Sequence, residues 1–259
     1  MLERTVDLNT AAGTMEVFIV HPGGTGPFPA VIMYMDMWGI REELRDLARR
    51  VATSGYYCIL PDLYYRWGKI RNSFRNAQGK MLSFVNLEKG KQEQVLGAMR
   101  KLSDAMAMED TASLLKFIDR GEPVTPGPVG TIGYCLGGRH VLCAAGSFPA
   151  RLRAGACMHG VEIVTDKPDS PHLLAMQAQG ELYCGHAERD KFTQPAVIRV
   201  LEESLKSPKL RYFYEVHKGA EHGYALPDRD VHDKHACNRD WELILGMFRR
   251  QLRPYQTER

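Results

Sequence analysis

The chain reads as an α/β protein, with a mostly parallel central sheet covered by helices on both faces. Three observations predict this. Short apolar runs alternate with stretches of helical spacing along most of its 259 residues. The run at 30–35, AVIMYM, is apolar throughout, as in a strand buried on both faces. The length suits one large domain, 1–259, with enough chain for a substantial core.

Taken in order, RTVDLNT (4–10) and TMEVFIVHP (14–22) read as strands that pair as a hairpin, and GGTGPFP (23–29) is turn chemistry. AVIMYM follows. From 40 to 54, Ile40, Leu44, Leu47, Ala48 and Val51 recur at helical spacing, and Gly55 stops the helix. YYCIL (56–60) is the next strand. A helix carrying Leu114, Leu115 and Ile118 ends near Gly121, and PVGTIGY (128–134) is again a strand. Further strands are expected at GACM (155–158), LLAMQ (173–177), ELYCGHA (181–187) and LRYFYEV (210–216). A last helix places Cys237, Trp241, Ile244, Leu245, Phe248 and Leu252 on one face. Residues 66–103 break the rhythm. They are basic, polar and weakly periodic, and read either as an excursion that covers a pocket or as a solvated connection.

Composition excludes several classes. A net charge of +3, with basic and acidic residues interleaved, is not a nucleic-acid footprint. No run approaches the ~18–20 apolar residues needed to cross a bilayer, and the first residues show no secretory leader, so a cytoplasmic protein with no membrane partner is expected. No two of the six cysteines are spaced as CxxC, so no zinc ribbon or redox pair is expected and the thiols should be reduced.

In folds of this class, chemistry collects at the carboxyl ends of the strands. Gly133-Tyr134-Cys135-Leu136-Gly137 follows one strand and opens a helix. It matches the pattern glycine–x–nucleophile–x–glycine, in which flanking glycines permit a sharp strand-to-helix turn. The helix N-terminus favours a thiolate, and the Leu136 N–H would face a developing oxyanion. A buried structural thiol is the alternative for Cys135. A thiol needs a base, and His222 lies in a loop just after the strand LRYFYEV. Asp190 follows ELYCGHA and would orient the base, with Glu188 as competitor. The order nucleophile, acid, histidine is that of α/β-hydrolases.

The motifs GYCLGG, GHAERD, GAEHGY and PDLYYR together resemble the dienelactone hydrolase family, over about residues 14–252. The resemblance implies an α/β-hydrolase fold, a Cys135–Asp190–His222 triad and hydrolysis of an ester or lactone, as in a carboxymethylenebutenolidase, with no cofactor or metal. It implies a second oxyanion donor at the N–H of Met37. It also implies a thiol-activating acid at Asp36, where founding members carry glutamate. Members that act on dienelactone place an arginine four residues after the histidine. Here that position is Leu226. The substitution predicts a less charged ester, lactone or thioester, unless Arg66, Arg71 or Arg75 supplies the charge. Trp38, Tyr64 and His159 are candidate pocket walls.

The expected partner is a small-molecule ester or lactone, with the protein a monomer or homodimer. A ligand-binding protein on the same fold, without turnover, is the alternative, though it would not need all three triad residues. A redox-sensing thiol protein would need a resolving cysteine, and Cys143, two helical turns on, should face the core. His232 and His235 lack a third partner at metal-ligand spacing.

Overall fold

In a computed structural model, residues 1–255 are described. The chain opens with an antiparallel hairpin, β1 (Leu2–Thr10) and β2 (Gly13–His21), in register from Leu2 opposite His21 to Thr10 opposite Gly13. Next come β3 (Ala30–Tyr34), α1 (Glu42–Thr53), β4 (Tyr57–Pro61), α2 (Lys89–Lys101), α3 (Asp104–Ile118), β5 (Val129–Tyr134) and α4 (Leu136–Ser147). The rest is β6 (Leu152–Met158), α5 (Pro171–Ala175), β7 (Gly180–Arg189), α6 (Pro195–Ser204), β8 (Leu210–Glu221) and α7 (Lys234–Leu252).

The eight strands form one sheet in the order β1-β2-β4-β3-β5-β6-β7-β8, parallel from β4 to β8. Every residue of β3, β4 and β5 is buried, which explains their unbroken apolar runs. The helices hold the sheet through one face each. In α1 the buried residues are Leu44, Leu47, Ala48, Val51 and Ala52, as the spacing requires, while Glu42 and Asp46 stay on the solvent side. Two helix starts carry side-chain caps: Ser103 accepts from the Met106 N–H, and Asp233 accepts from the His235 and Ala236 N–H groups. Among the described residues no helix is long and apolar enough to cross a membrane.

Two expectations are corrected. The run LLAMQ is not a strand: Leu173–Ala175 close the short helix α5, which begins on Pro171. Proline presets the first helical φ, and a short apolar run does not distinguish helix from strand. The last strand is also longer than LRYFYEV. It continues to Glu221, because Ala187 and Arg189 of β7 still pair with His217 and Glu221.

Strand order fixes where a site can form. Strand order reverses direction between β3 and β5, and their carboxyl ends lie side by side, with Tyr34 opposite Gly133. Next to them end β6, whose Met158 pairs with Tyr134, and then β7 and β8. The segments after these five strands therefore converge on one edge, at the topological switch point.

Candidate active site

Only one residue separates β5 from α4, so Cys135 alone reverses the chain. It does so at φ 55° and ψ −113°, outside the regions that L-residues favour, at a cost on the order of 1–3 kcal/mol. The surroundings hold it there. Its N–H donates to the Met158 carbonyl at 2.9 Å, and its own carbonyl accepts from Arg139 and Val161. The flanking glycines are sterically required. A Cβ on Gly133 would lie 2.1 Å from the Gly137 carbonyl oxygen, and one on Gly137 would lie 2.4 Å from that of Tyr34. Cys135 is buried, at 4% exposure, yet its side chain lines a crevice at the strand ends.

Register brings the next pair together. Arg189 at the end of β7 pairs with Glu221 at the end of β8, so Asp190 and His222 are the residues that emerge side by side. The carboxylate of Asp190 accepts the Phe192 N–H on Oδ1 at 2.8 Å and the ring of His222 on Oδ2 at 2.7 Å. A carboxylate only accepts, so Nδ1 of His222 carries the proton and Nε2 faces the crevice without a protein hydrogen-bond partner among the described residues. Burial pulls the His222 pKa down. The nearby Cys135 sulfur and the Asp190 hydrogen bond outweigh it, and the pKa rises to about 10. Glu188, the competing acid, is exposed and accepts instead from the Gly219 N–H at 2.8 Å.

The remaining predicted residues lie around the same crevice. Met37 and Trp38 follow β3 and face it, as does Leu226. Neither the Met37 N–H nor the Leu136 N–H donates to another group among the described residues. Tyr64 does not line the crevice. Its hydroxyl donates to the Met37 carbonyl at 3.0 Å and so steadies that segment. Asp36 is fully buried. Its Oδ1 accepts from the Trp38 N–H at 3.0 Å and from Arg41 at 2.8 Å, and Oδ2 has no partner. Asp36 makes no hydrogen bond with Cys135 among the described residues. His159 follows β6 at φ 37°, fully buried, with its ring 4.9 Å from that of His222 and both nitrogens unpartnered. Burial, reinforced by His222 and Arg229, holds His159 neutral.

The positive charge of the crevice comes from a residue that spacing did not single out. Arg66 pairs with Asp110, Arg71 with Asp62, and Arg75 donates to the Gly79 carbonyl, so none of the three reaches the crevice. Arg229 does line it. Its guanidinium lies over the Trp38 ring at 4.6 Å and forms no salt bridge among the described residues. Asp36 and Asp228, the nearby acids, are both held by Arg41, at 2.8 and 2.7 Å, and Arg75 lies 4.0 Å from Asp228. Burial lowers the Arg229 pKa from its ordinary value. Arg229 closes the same loop as His222. Two successive turns, Leu226 N–H to Gly223 carbonyl and Arg229 N–H to Leu226 carbonyl, fold it back onto the Leu226 wall.

Two further cavities open from the crevice. One, of about 210 Å³, includes His222, Phe192, Lys191 and Arg189. The other, of about 80 Å³, includes Cys135, Met37, Leu96 and Met99. Phe84, Leu96 and Met99 come from the 66–103 segment, which therefore walls the site rather than lying over solvent alone. A separate depression of about 490 Å³ between α6 and β8 is lined by none of these residues.

The model of the dienelactone hydrolase family matches residues 15–252. The chain belongs to that family. A Synechocystis sp. protein provisionally named carboxymethylenebutenolidase is 26% identical over 96% of the chain and 100% of its own length. A Bradyrhizobium sp. protein provisionally named 2-oxo-3-(5-oxofuran-2-ylidene)propanoate lactonase is 22% identical over 95% of the chain and 94% of its own length. Among solved structures, a Klebsiella pneumoniae protein provisionally titled dienelactone hydrolase superposes with a TM-score of 0.80. It is 20% identical, and the match covers 95% of this chain and 98% of that one. A dienelactone hydrolase-like promiscuous phosphotriesterase from metagenomic libraries gives a TM-score of 0.74 at 19% identity, over 96% and 98%. These likenesses show that the fold is that of the α/β-hydrolases.

Proposed function

We propose that the chain hydrolyses a carboxylic ester or lactone through an acyl-enzyme on Cys135. One observation carries the reading. The Asp190–His222 pair, 2.7 Å apart at adjacent strand ends, opens on the same crevice as a cysteine held at positive φ. Membership of the dienelactone hydrolase family, and the lactone- and butenolide-based names of the relatives above, support the substrate class.

Nε2 of His222 takes the proton of Cys135, and Asp190 holds the ring in the tautomer this requires. The sulfur attacks the carbonyl carbon, and the oxyanion is met by the free N–H groups of Leu136 and Met37. The imidazolium returns its proton to the leaving oxygen as the carbon–oxygen bond breaks. Water, deprotonated by His222, then attacks the thioester carbonyl, and the acid departs as the sulfur regains its proton. Asp36 and Asp228 occupy Arg41, which leaves Arg229 to offer its charge to the substrate. A buried cation without a paired anion is costly, so a substrate carboxylate near the reacting carbonyl suits this crevice.

The test is turnover of p-nitrophenyl acetate and of an enol-lactone, with intact-mass detection of an acyl adduct on Cys135. Cys135→Ala should abolish both turnover and adduct. Full activity in that variant excludes the mechanism.

A further inference from the structure

We infer that the 80 Å³ cavity beneath α2 receives the acyl half of the substrate and limits it to a short, uncharged chain. This inference rests on the hydrolase reading above. The two cavities that open from the crevice differ in one decisive respect: His222 lines the larger and is absent from the smaller. The leaving oxygen must receive its proton from Nε2 of His222, so the alcohol half lies on the His222 side. The acyl half lies on the other side of the new sulfur–carbon bond. There the cavity begins at Cys135 and Met37 and is walled mainly by apolar side chains, Leu96, Met99 and Val161, with Glu162 as its one charged residue among those described, already paired with Arg139 at 3.1 Å. Arg189 and Lys191 lie on the alcohol side, so the cationic side chains are on the side away from the acyl cavity.

The volume sets the length. A cavity of about 150 Å³ is enough to hold benzene. One of about 80 Å³ holds roughly half as much, the two to four carbons beyond the carbonyl of a propanoyl to pentanoyl group. Each methylene moved from water into such a site raises kcat/KM roughly fourfold, so butanoate should exceed acetate by roughly 15-fold. Benzoate and octanoate overrun the space.

The experiment measures kcat/KM for p-nitrophenyl acetate, butanoate, octanoate and benzoate, and in parallel for acetates of alcohols of increasing length. Wild type should peak at butanoate, with octanoate and benzoate at least tenfold lower. Met99→Trp fills the cavity and should bring the butanoate-to-acetate ratio from roughly 15 to near 1. The double variant Leu96→Ala/Met99→Ala should move the optimum to longer acyl chains. If the ratio is flat in wild type and unmoved in both variants, or if only the alcohol series responds, the acyl assignment is overturned while the hydrolase stands. If no ester places an adduct on Cys135, the underlying hydrolase reading falls, and the acyl cavity falls with it.

Discussion

Gly137→Ala is the substitution that best separates the proposed oxyanion donors from the proposed nucleophile. The new Cβ would lie 2.4 Å from the Tyr34 carbonyl oxygen and 2.6 Å from that of Met35, where ordinary contact begins at 3.4 Å. Both obstructing atoms are backbone, so no rotamer change relieves them. The gap between α4 and the end of β3 must open by about 1 Å, for which overpacking costs are typically ~1–3 kcal/mol. The Leu136 N–H sits one residue before Gly137, and the Met37 N–H two residues after Met35. The opening therefore falls between the two proposed donors, while His222 and Asp190 sit on other strands and stay paired. Losing one donor costs about 10²–10³ in kcat. The assays are kcat on p-nitrophenyl acetate, the alkylation rate of Cys135 by iodoacetamide, and a thermal melt. Expected are a kcat down by about 10²–10³, alkylation changed only a few-fold, and a Tm lower by roughly 2–4 °C per kcal/mol. A folded variant with kcat within about threefold of wild type would refute the oxyanion assignment. Alkylation falling in parallel with kcat would move the damage from the donors to the thiol.

Asp190→Asn removes the acceptor that fixes the His222 tautomer, and kcat should fall on the order of 10⁴; a loss under tenfold would exclude Asp190 as the orienting group. The folded pKa of His222, about 10, lies above its ordinary 6.5, so the protonated form stabilises the fold. That contribution is full below about pH 6.5 and is lost as pH climbs towards 10. Cys135→Ala removes the chief raising influence, so NMR titration of His222 should move down and urea melts should lose less stability on the alkaline side. An unmoved titration would show that the sulfur is not the cause. Arg229→Met should lower the ratio of kcat/KM for a carboxylate-bearing lactone over a neutral ester about 10–100-fold, the worth of a charge-assisted hydrogen bond. It should also raise Tm, because an unpaired buried guanidinium is removed. An unchanged ratio would exclude Arg229 as the anion-binding group.

The fold and the three central residues were legible because strand ends are local features. Cys135, Asp190 and His222 each follow an apolar run by one to six residues, and parallel strands bring such positions together whatever the intervening loops do. Arg229 was not legible. Counting four residues from His222 finds Leu226, but two tight turns carry the chain back, so the residue three further on shares that wall. For 66–103 the sequence left a pocket cover and a solvated connection both open. In α2 only Val95 and Ala98 are buried, so its period is weak, and Leu96 and Met99 face the cavity instead of the core. A residue that faces a cavity leaves no core stripe to read.

Buried polar atoms without a partner among the described residues occur elsewhere too, as on His140 and His186, but five of them collect at this one edge of the sheet. Asp36 Oδ2, both nitrogens of His159, Nε2 of His222 and Nε of Arg229 are all buried without protein partners, and all five belong to residues that line the crevice. Each such atom costs about 1–3 kcal/mol. Cys135 and His159 add positive-φ strain within the same few ångströms. Scattered, these defects would be independent losses. Gathered at one crevice, they form a set of directed donors and acceptors that a bound substrate could satisfy together. Under the proposed function, ligand binding here would recover part of that cost. The sheet tolerates this because β3, β4 and β5 are buried along their whole length and hold the strand ends fixed. Stability resides in the strands, and the proposed reactivity in the single residues that follow them.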